Sequence, residues 1–214
     1  MTLSDQDQER IQRSIREAER HTRGEIVPMI VGRSARYRET QYRAGAGCAL
    51  FMLSALLTIE WEWMPWGWHG TNVGWLLLTV IAAYGLGYGL GTFDPVIRVL
   101  TSNERMAYKV KIRAHQAFEE HGLHRTELGT GVLILISLLE HRIEILTDRA
   151  ILDQIPPETW ENMLAIIQEG FHKGNPVESL CQAITLCGEV LGEYFPVGPT
   201  EANPNELPND LIPG

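Results

Sequence analysis

Two long stretches without charged side chains constrain the fold of this chain of 214 residues more than any other feature. At about 1.5 Å per residue, residues 44–59 would form a helix about 24 Å long and residues 73–93 one about 31 Å long. The hydrocarbon core of a bilayer is about 30 Å thick. The second stretch can therefore cross it, and the first can do so with Glu60 and Trp61 at the interface. We predict a transmembrane hairpin with spans at 44–61 and 73–93.

The connector between these stretches is rich in tryptophan, which favours the headgroup region of a bilayer. Four of the six tryptophans lie there, namely Trp61, Trp63, Trp66 and Trp68. Pro65 and Gly67 permit the chain to reverse. The alternative is a pair of core helices in a soluble protein, which would leave an exposed Trp-rich loop to be explained.

Basic residues lie before the first span and after the second span of the hairpin, which would place all of them on the same side of the membrane. They are Arg33, Arg36, Arg38 and Arg43 before the first span, and Arg98, Arg105, Lys109, Lys111 and Arg113 after the second. The connector contains no Lys or Arg, and cytoplasmic flanks carry the excess of these residues. The N-terminus is charged and does not resemble a secretory signal. We therefore predict that both termini are cytoplasmic.

Glycines alternate along the second span at positions 85, 87, 89 and 91, which creates two small-xxx-small pairs. One interpretation is close packing against the first span, where Gly45 and Gly47 match them. The other is a homodimer formed through Gly85, Gly87, Gly89 and Gly91.

The charged remainder of the chain shows the periodicities of a mixed α/β domain. A capping box at Ser4 and Asp7 begins a helix that extends to about Arg23. The other predicted elements are strands at 25–31, 131–137 and 143–146 and helices at 106–121, 160–171 and 176–191. Pro28 indicates an edge position for the first strand. If the first two strands are parallel and joined by a right-handed crossover, Asp148 lies beside the loop 124–130.

Composition excludes some classes of function. The net charge is -9 and the pI about 5.3, and no stretch offers a broad basic face, so we expect no nucleic-acid partner. Three cysteines provide no disulfide framework, which favours a reducing compartment. Cys181 and Cys187 are predicted to pack on the apolar side of the last helix.

The two loops brought together by this topology carry the candidate site. Asp148, Arg125 and Arg149 are catalytic candidates for phosphoryl transfer, with Thr126 and Thr130 as phosphate-binding or loop-organising groups. Glu127, Asp148 and Asp153 could supply oxygen ligands to calcium or another divalent cation. The simplest alternative is that Arg125 and Asp148 only join the loops, through a salt bridge and caps. A zinc site of His115, His121 and His124 is disfavoured by its spacing.

Residues 122–151, GLHRTELGTGVLILISLLEHRIEILTDRAI, resemble the TPM domain. The similarity extends to Ser4-Asp-Gln-Asp, His21-Thr-Arg-Gly-Glu-Ile-Val-Pro, Trp160 and Asn205-Glu-Leu-Pro. It implies an α/β/α sandwich with a small mixed sheet, here interrupted by the two-helix transmembrane hairpin. Family members include thylakoid-lumen proteins linked to photosystem repair and weak acid phosphatase activity, calcium binders and a receptor subunit.

The resemblance suggests a bacterial membrane subgroup and therefore a multi-pass protein of the inner membrane. The predicted segments are 1–43 and 94–195 for the TPM-like domain, 44–93 for the hairpin and 196–214 for a Pro-rich extended tail. We expect the tail to dock on its own domain or on a partner through Leu207, Leu211 and Ile212.

The predicted function is a membrane-anchored module that binds another membrane protein or complex and assists its assembly or maintenance. The alternative is a weak acid phosphatase centred on Asp148, with or without a divalent cation. A third hypothesis is a purely structural dimer held by the glycine stripe.

Overall fold

A computed structural model describes residues 4–63, 70–126, 128–172, 175–197 and 212–213. The chain divides into two compact units. The α/β unit comprises Met1–Ala35 and Ala107–Gly214, and the helical unit comprises Arg36–Met106. The predicted division of the chain placed the inserted segment at 44–93.

A small mixed sheet forms the centre of the α/β unit. Its strands are β1 (Glu25–Val31), β2 (Gly131–Ser137), β3 (Arg142–Thr147) and β4 (Ile212–Pro213), in the order β3-β2-β1-β4. β1 is parallel to β2, β2 is antiparallel to β3, and β4 joins β1 only at Met29 and Ile30. The parallel pairing predicted for the first two strands is confirmed. The edge position predicted for β1 from Pro28 is wrong, because β1 lies between β2 and β4, although among the described residues β4 reaches only Met29 and Ile30.

Helices cover both faces of the sheet. The helices of this unit are α1 (Asp5–Glu19), α5 (Asn103–Glu120, which begins in the helical unit), a 3₁₀ turn at Leu123–Arg125, α6 (Arg149–Gln154), α7 (Pro157–His172) and α8 (Pro176–Tyr194). On β2, Val132, Ile134 and Ile136 face a core shared with α1, α7 and α8. Leu133 and Leu135 face a second core with α5. The alternation gives the three layers of an α/β/α sandwich.

The start of α1 agrees with the sequence and its end does not. Ser4 accepts a hydrogen bond from the Asp7 amide at 3.2 Å, which confirms the capping box. The helix ends at Glu19 rather than near Arg23, because the chain there bonds to the end of α8. The Arg23 amide and the Thr22 hydroxyl both donate to the Phe195 carbonyl, at 3.0 and 3.1 Å.

The helical unit consists of α2 (Arg38–Trp63), α3 (Gly70–Leu90) and the short α4 (Asp94–Leu100). Trp66 and Trp68 of the predicted connector lie outside the described residues. Among the described residues, one helix is long and apolar enough to cross a bilayer, with a window at Val73–Leu90 of mean hydropathy 1.6. α2 does not satisfy that criterion, so the predicted two-span hairpin is not supported by the described residues.

Close packing between α2 and α3 uses half of the alternating glycines. A Cβ on Gly87 would lie 2.6 Å from the Ala44 carbonyl oxygen, and one on Gly91 would lie 2.5 Å from the Gln41 Cα. A Cβ on Gly85 or Gly89 would meet nothing within 4 Å. Gly87 and Gly91 therefore let the two helices approach, as the first interpretation of the stripe expects, whereas Gly85 and Gly89 lie on the opposite face.

Candidate functional site

Asp148 lies at the end of β3 and caps the N-terminus of α6. Its Oδ1 accepts a hydrogen bond from the Arg149 amide at 2.6 Å, and its own amide donates to the Gly131 carbonyl at 3.0 Å. A Cβ on Gly129 would lie 3.5 Å from the Asp148 Oδ2. The structure therefore brings Asp148 beside the loop 124–130, as the predicted topology requires.

The two threonines of that loop organise it. The Thr126 hydroxyl accepts a hydrogen bond from the Thr130 amide at 3.1 Å, and the Thr130 hydroxyl donates to the Arg23 carbonyl at 3.0 Å. Both residues are buried. The Thr130 carbonyl also accepts from the Glu25 amide, so this loop is tied to the start of β1. A loop-organising role is the part of the sequence prediction that these bonds favour.

The charged candidates are more exposed than the threonines. Arg125 and Arg149 are exposed, and the Arg125 Nε donates to the His124 Nε2 at 3.3 Å. None of the ion pairs between described residues joins Arg125 to Asp148, so the loops are held by caps and hydroxyl bonds instead. Asp153 is exposed on α6.

The metal hypothesis stays a prediction. Glu127 lies outside the described residues, as do Leu207 and Leu211 of the tail. In the part of the chain that the structure describes, no group of three or more His, Cys, Asp and Glu side chains could hold a metal ion. Ile212, in contrast, lies in β4 and pairs with Met29.

A second polar cluster, which the sequence analysis did not identify, lies at the opposite end of the sheet. The buried Glu140 accepts from the Ser34 amide at 2.9 Å through Oε1 and from the Ser137 hydroxyl through Oε2. The hydroxyls of Ser34 and Ser137 are 2.8 Å apart. These bonds join the segment after β1 to the turn after β2. No local signal marks the whole cluster, because Ser34 is about a hundred residues from Ser137 and Glu140.

Burial shifts the pKa of two groups among the described residues of the α/β unit. Desolvation raises the pKa of the Cys187 thiol, and the nearby Glu19 acts in the same direction. A thiol that resists ionisation is a poor nucleophile, which favours the predicted packing role. Desolvation also raises the pKa of Glu144 on β3, although Lys111, His115 and Arg142 oppose the shift.

The comparisons with known proteins agree with this architecture. Residues 94–190 match the sequence profile of the TPM domain. No curated protein sequence matches the chain significantly. The solution structure of the BA42 protein from the psychrophilic bacterium Bizionia argentinensis is similar, with 20% identity, a TM-score of 0.62 and coverage of 100% of this chain and 97% of that one. At this identity the likeness concerns the fold. The profile match over residues 94–190 and the shared fold confirm the resemblance to the TPM domain found in the sequence.

Proposed function

We propose that this protein is a membrane-anchored TPM-domain module that binds another membrane protein or complex and supports its assembly or maintenance. The observation that carries the proposal is the placement of exposed apolar side chains. Most of the large apolar side chains that are exposed among the described residues lie on α2, α3 and the turn that follows, whereas β2 is buried along its whole length.

The anchor is a helical hairpin of α2 and α3. On α2, Phe51 is 75% exposed, and on α3, Trp75 is 70% exposed. Apolar side chains so exposed are costly in water and favourable in lipid. We propose that both helices cross the inner membrane of a bacterium and that both termini are cytoplasmic, in accordance with the distribution of Lys and Arg.

The binding surface is the end of the α/β unit that carries the loop 124–130 and α6. Leu128 and Leu152 on these two segments are 48% and 60% exposed. The exposed Arg125, Arg149 and Asp153 lie on the same segments. Apolar side chains bordered by charged ones are typical of protein interfaces.

Affinity capture from detergent-solubilised membranes tests the binding surface. The double variant Leu128→Asp and Leu152→Asp should lose the proteins that copurify with the wild type. Ile166→Asp is the matched control, because Ile166 is an exposed apolar residue of α7. Loss of the same partners with both variants, or with neither, would contradict the assignment of this surface.

Two measurements test the anchor. The protein should remain in the membrane pellet after alkaline extraction, and release into the supernatant would contradict insertion. In the variant His69→Cys, a membrane-impermeant thiol reagent should label intact cells from outside. Labelling only after the membrane is opened would reverse the proposed orientation.

The second candidate function, a weak acid phosphatase, is favoured by one observation, the Asp148 Oδ2 that faces Gly129 while Oδ1 caps α6. Hydrolysis of a generic phosphate ester, assayed with and without calcium or magnesium, tests it. Turnover that disappears in Asp148→Asn would support this candidate. No turnover under any condition would leave the binding function alone.

A further inference from the structure

We propose that the arginine-bearing end of the helical unit is a binding surface for the headgroups of anionic phospholipids. This inference rests on the proposed insertion of α2 and α3 into a membrane. It adds a preference for a class of lipid, which insertion by itself does not require. The surface, here called the headgroup collar, consists of Tyr42, Tyr84 and Tyr88 with Arg36, Arg38 and Arg43.

The tyrosines form a continuous group across the two helices. The Tyr42 and Tyr88 rings meet edge to face, with centroids 5.6 Å apart, and Tyr84 stacks on Tyr88 at 6.4 Å. All three side chains are exposed in part. Tyrosine prefers the membrane–water interface, where its ring meets apolar groups and its hydroxyl meets water.

The spacing along α2 fits an interface at both ends. Tyr42 and Trp61 are 19 positions apart, which corresponds to about 28 Å of helix. That length is close to the hydrocarbon thickness of about 30 Å. The tyrosines therefore mark the level at which headgroups begin on the arginine-bearing side.

The arginines lie at or just beyond that level. Arg38 is the first residue of α2 and precedes Tyr42 by four positions, so the two side chains share a helix face. Arg36 and Arg38 are exposed. Arg43 is also exposed, and its Nη1 donates to the Leu100 carbonyl at 3.3 Å, which places this guanidinium beside the end of α4.

The chain after α3 supplies the apolar border of the collar. Phe93 is 59% exposed and Val99 on α4 is 84% exposed, whereas Ile97 is buried. α4 is attached to α2 by a buried contact between the Thr40 and Thr101 hydroxyls at 3.3 Å. Apolar side chains next to guanidinium groups suit a surface where acyl chains end and phosphates begin.

Charge complementarity selects the occupant. A guanidinium binds phosphate oxygens with charge-assisted hydrogen bonds, and basic clusters next to a transmembrane helix attract anionic lipids. Phosphatidylglycerol provides an uncompensated phosphate charge, whereas phosphatidylcholine cancels it with its own ammonium group. The collar should therefore prefer phosphatidylglycerol.

The test is a titration of the purified, detergent-solubilised full-length protein with fluorescent phosphatidylglycerol or phosphatidylcholine. The wild type should bind phosphatidylglycerol about tenfold more tightly, and the double variant Arg36→Gln and Arg38→Gln should lose most of that difference. Arg13→Gln with Arg16→Gln is the matched control, because both are exposed arginines of α1. This control should retain the preference.

Three results would overturn the proposal. The first is equal affinity of the wild type for the two lipids, and the second is an equal loss of the lipid preference in both double variants. The third is full competition by glycerol phosphate at the same concentration as the lipid, which would assign the surface to free phosphate. Alkaline extraction of the reconstituted protein separates this failure from that of the anchor. A protein that stays inserted without a lipid preference refutes only the collar, whereas one that is extracted refutes both.

Discussion

The α/β unit and the helical unit use the same residue types in opposite ways. In β2, a run of Ile, Leu and Val is buried on both faces by two layers of helices. In α2 and α3, Leu, Phe and Ile point outward, while glycines let the two helices approach each other closely. The difference shows that a segment rich in apolar residues does not always form part of a core inside the protein. Such a segment needs an apolar environment, which the protein itself supplies in one unit and, in our proposal, lipid supplies in the other.

The largest expected effect contrasts a buried with an exposed aliphatic side chain. Ile134→Ala should lower the free energy of unfolding by about 3 kcal/mol, because it creates a cavity at the centre of the sheet. Leu86→Ala, at an exposed position of α3, should change it by less than about 0.5 kcal/mol in detergent. Denaturant unfolding in detergent checks both. A comparable loss from Leu86→Ala would mean that α3 is packed against protein.

Two glycines of one helix sharpen the comparison within the helical unit. Gly87→Leu should destabilise the pair α2–α3 by about 1–3 kcal/mol, because its Cβ would clash with the Ala44 carbonyl, which belongs to the backbone and cannot rotate away. Gly85→Leu has open space and should be close to neutral. Thermal unfolding in detergent compares the two. If Gly85→Leu were the more damaging change, the open face would be an interface between copies of the chain.

The third prediction concerns the N-cap of α6. Asp148→Ala should cost about 1 kcal/mol, because α6 loses its N-cap. Asp148→Asn retains a capping oxygen and should cost a few tenths of a kcal/mol at most. Urea unfolding of both variants measures the difference. Equal losses would show that the charge of Asp148, and not its hydrogen bond, stabilises the loops.

The smallest effect is a dependence of stability on pH that originates at Glu144. Burial raises the pKa of this carboxyl above its usual 4.5, so the folded state binds the proton more tightly than the unfolded chain. Stability should therefore fall as pH rises from about 4.5 through the raised pKa. Glu144→Gln removes that loss and should be the more stable protein at pH 7, with the advantage disappearing near pH 4.

Unfolding midpoints between pH 4 and pH 8 provide the measurement. Glu158→Gln is the control, because Glu158 is an exposed residue of α7. It should follow the wild type throughout this range. An advantage of Glu144→Gln that persisted unchanged at pH 4 would show that packing, and not charge burial, is responsible.

Much of the α/β unit could be predicted because its signals are local. The bounds of β1 and β2 follow from short apolar runs between polar turns, and the start of α1 follows from a capping box within four residues. The short α4 and α6 were not predicted, since helices of six or seven residues are too brief to show a periodicity. β4 was not predicted as a strand because its two residues depend on pairing with β1.

The position of the candidate site could be predicted from the sequence, whereas the hydrogen bonds that define its chemistry could not. Topology brought Asp148 to the loop 124–130, because parallel pairing and a right-handed crossover leave few arrangements. The same argument could not show that Asp148 caps α6, or that the Thr126 and Thr130 hydroxyls are occupied by backbone groups. Hydrogen-bond partners depend on side-chain orientation, which residue spacing does not determine.

By itself, the amino-acid sequence determined the uncharged stretches, the strands of the central sheet and the resemblance to the TPM domain, since each depends on residues close together in the chain. Only the tertiary structure decided which glycines face α2, that Glu140 bonds to Ser34, and that Tyr42 meets Tyr88. These contacts join residues tens of positions apart. Their geometry depends on how whole helices and strands pack, and a local sequence pattern contains no information about contacts between residues so far apart in the chain.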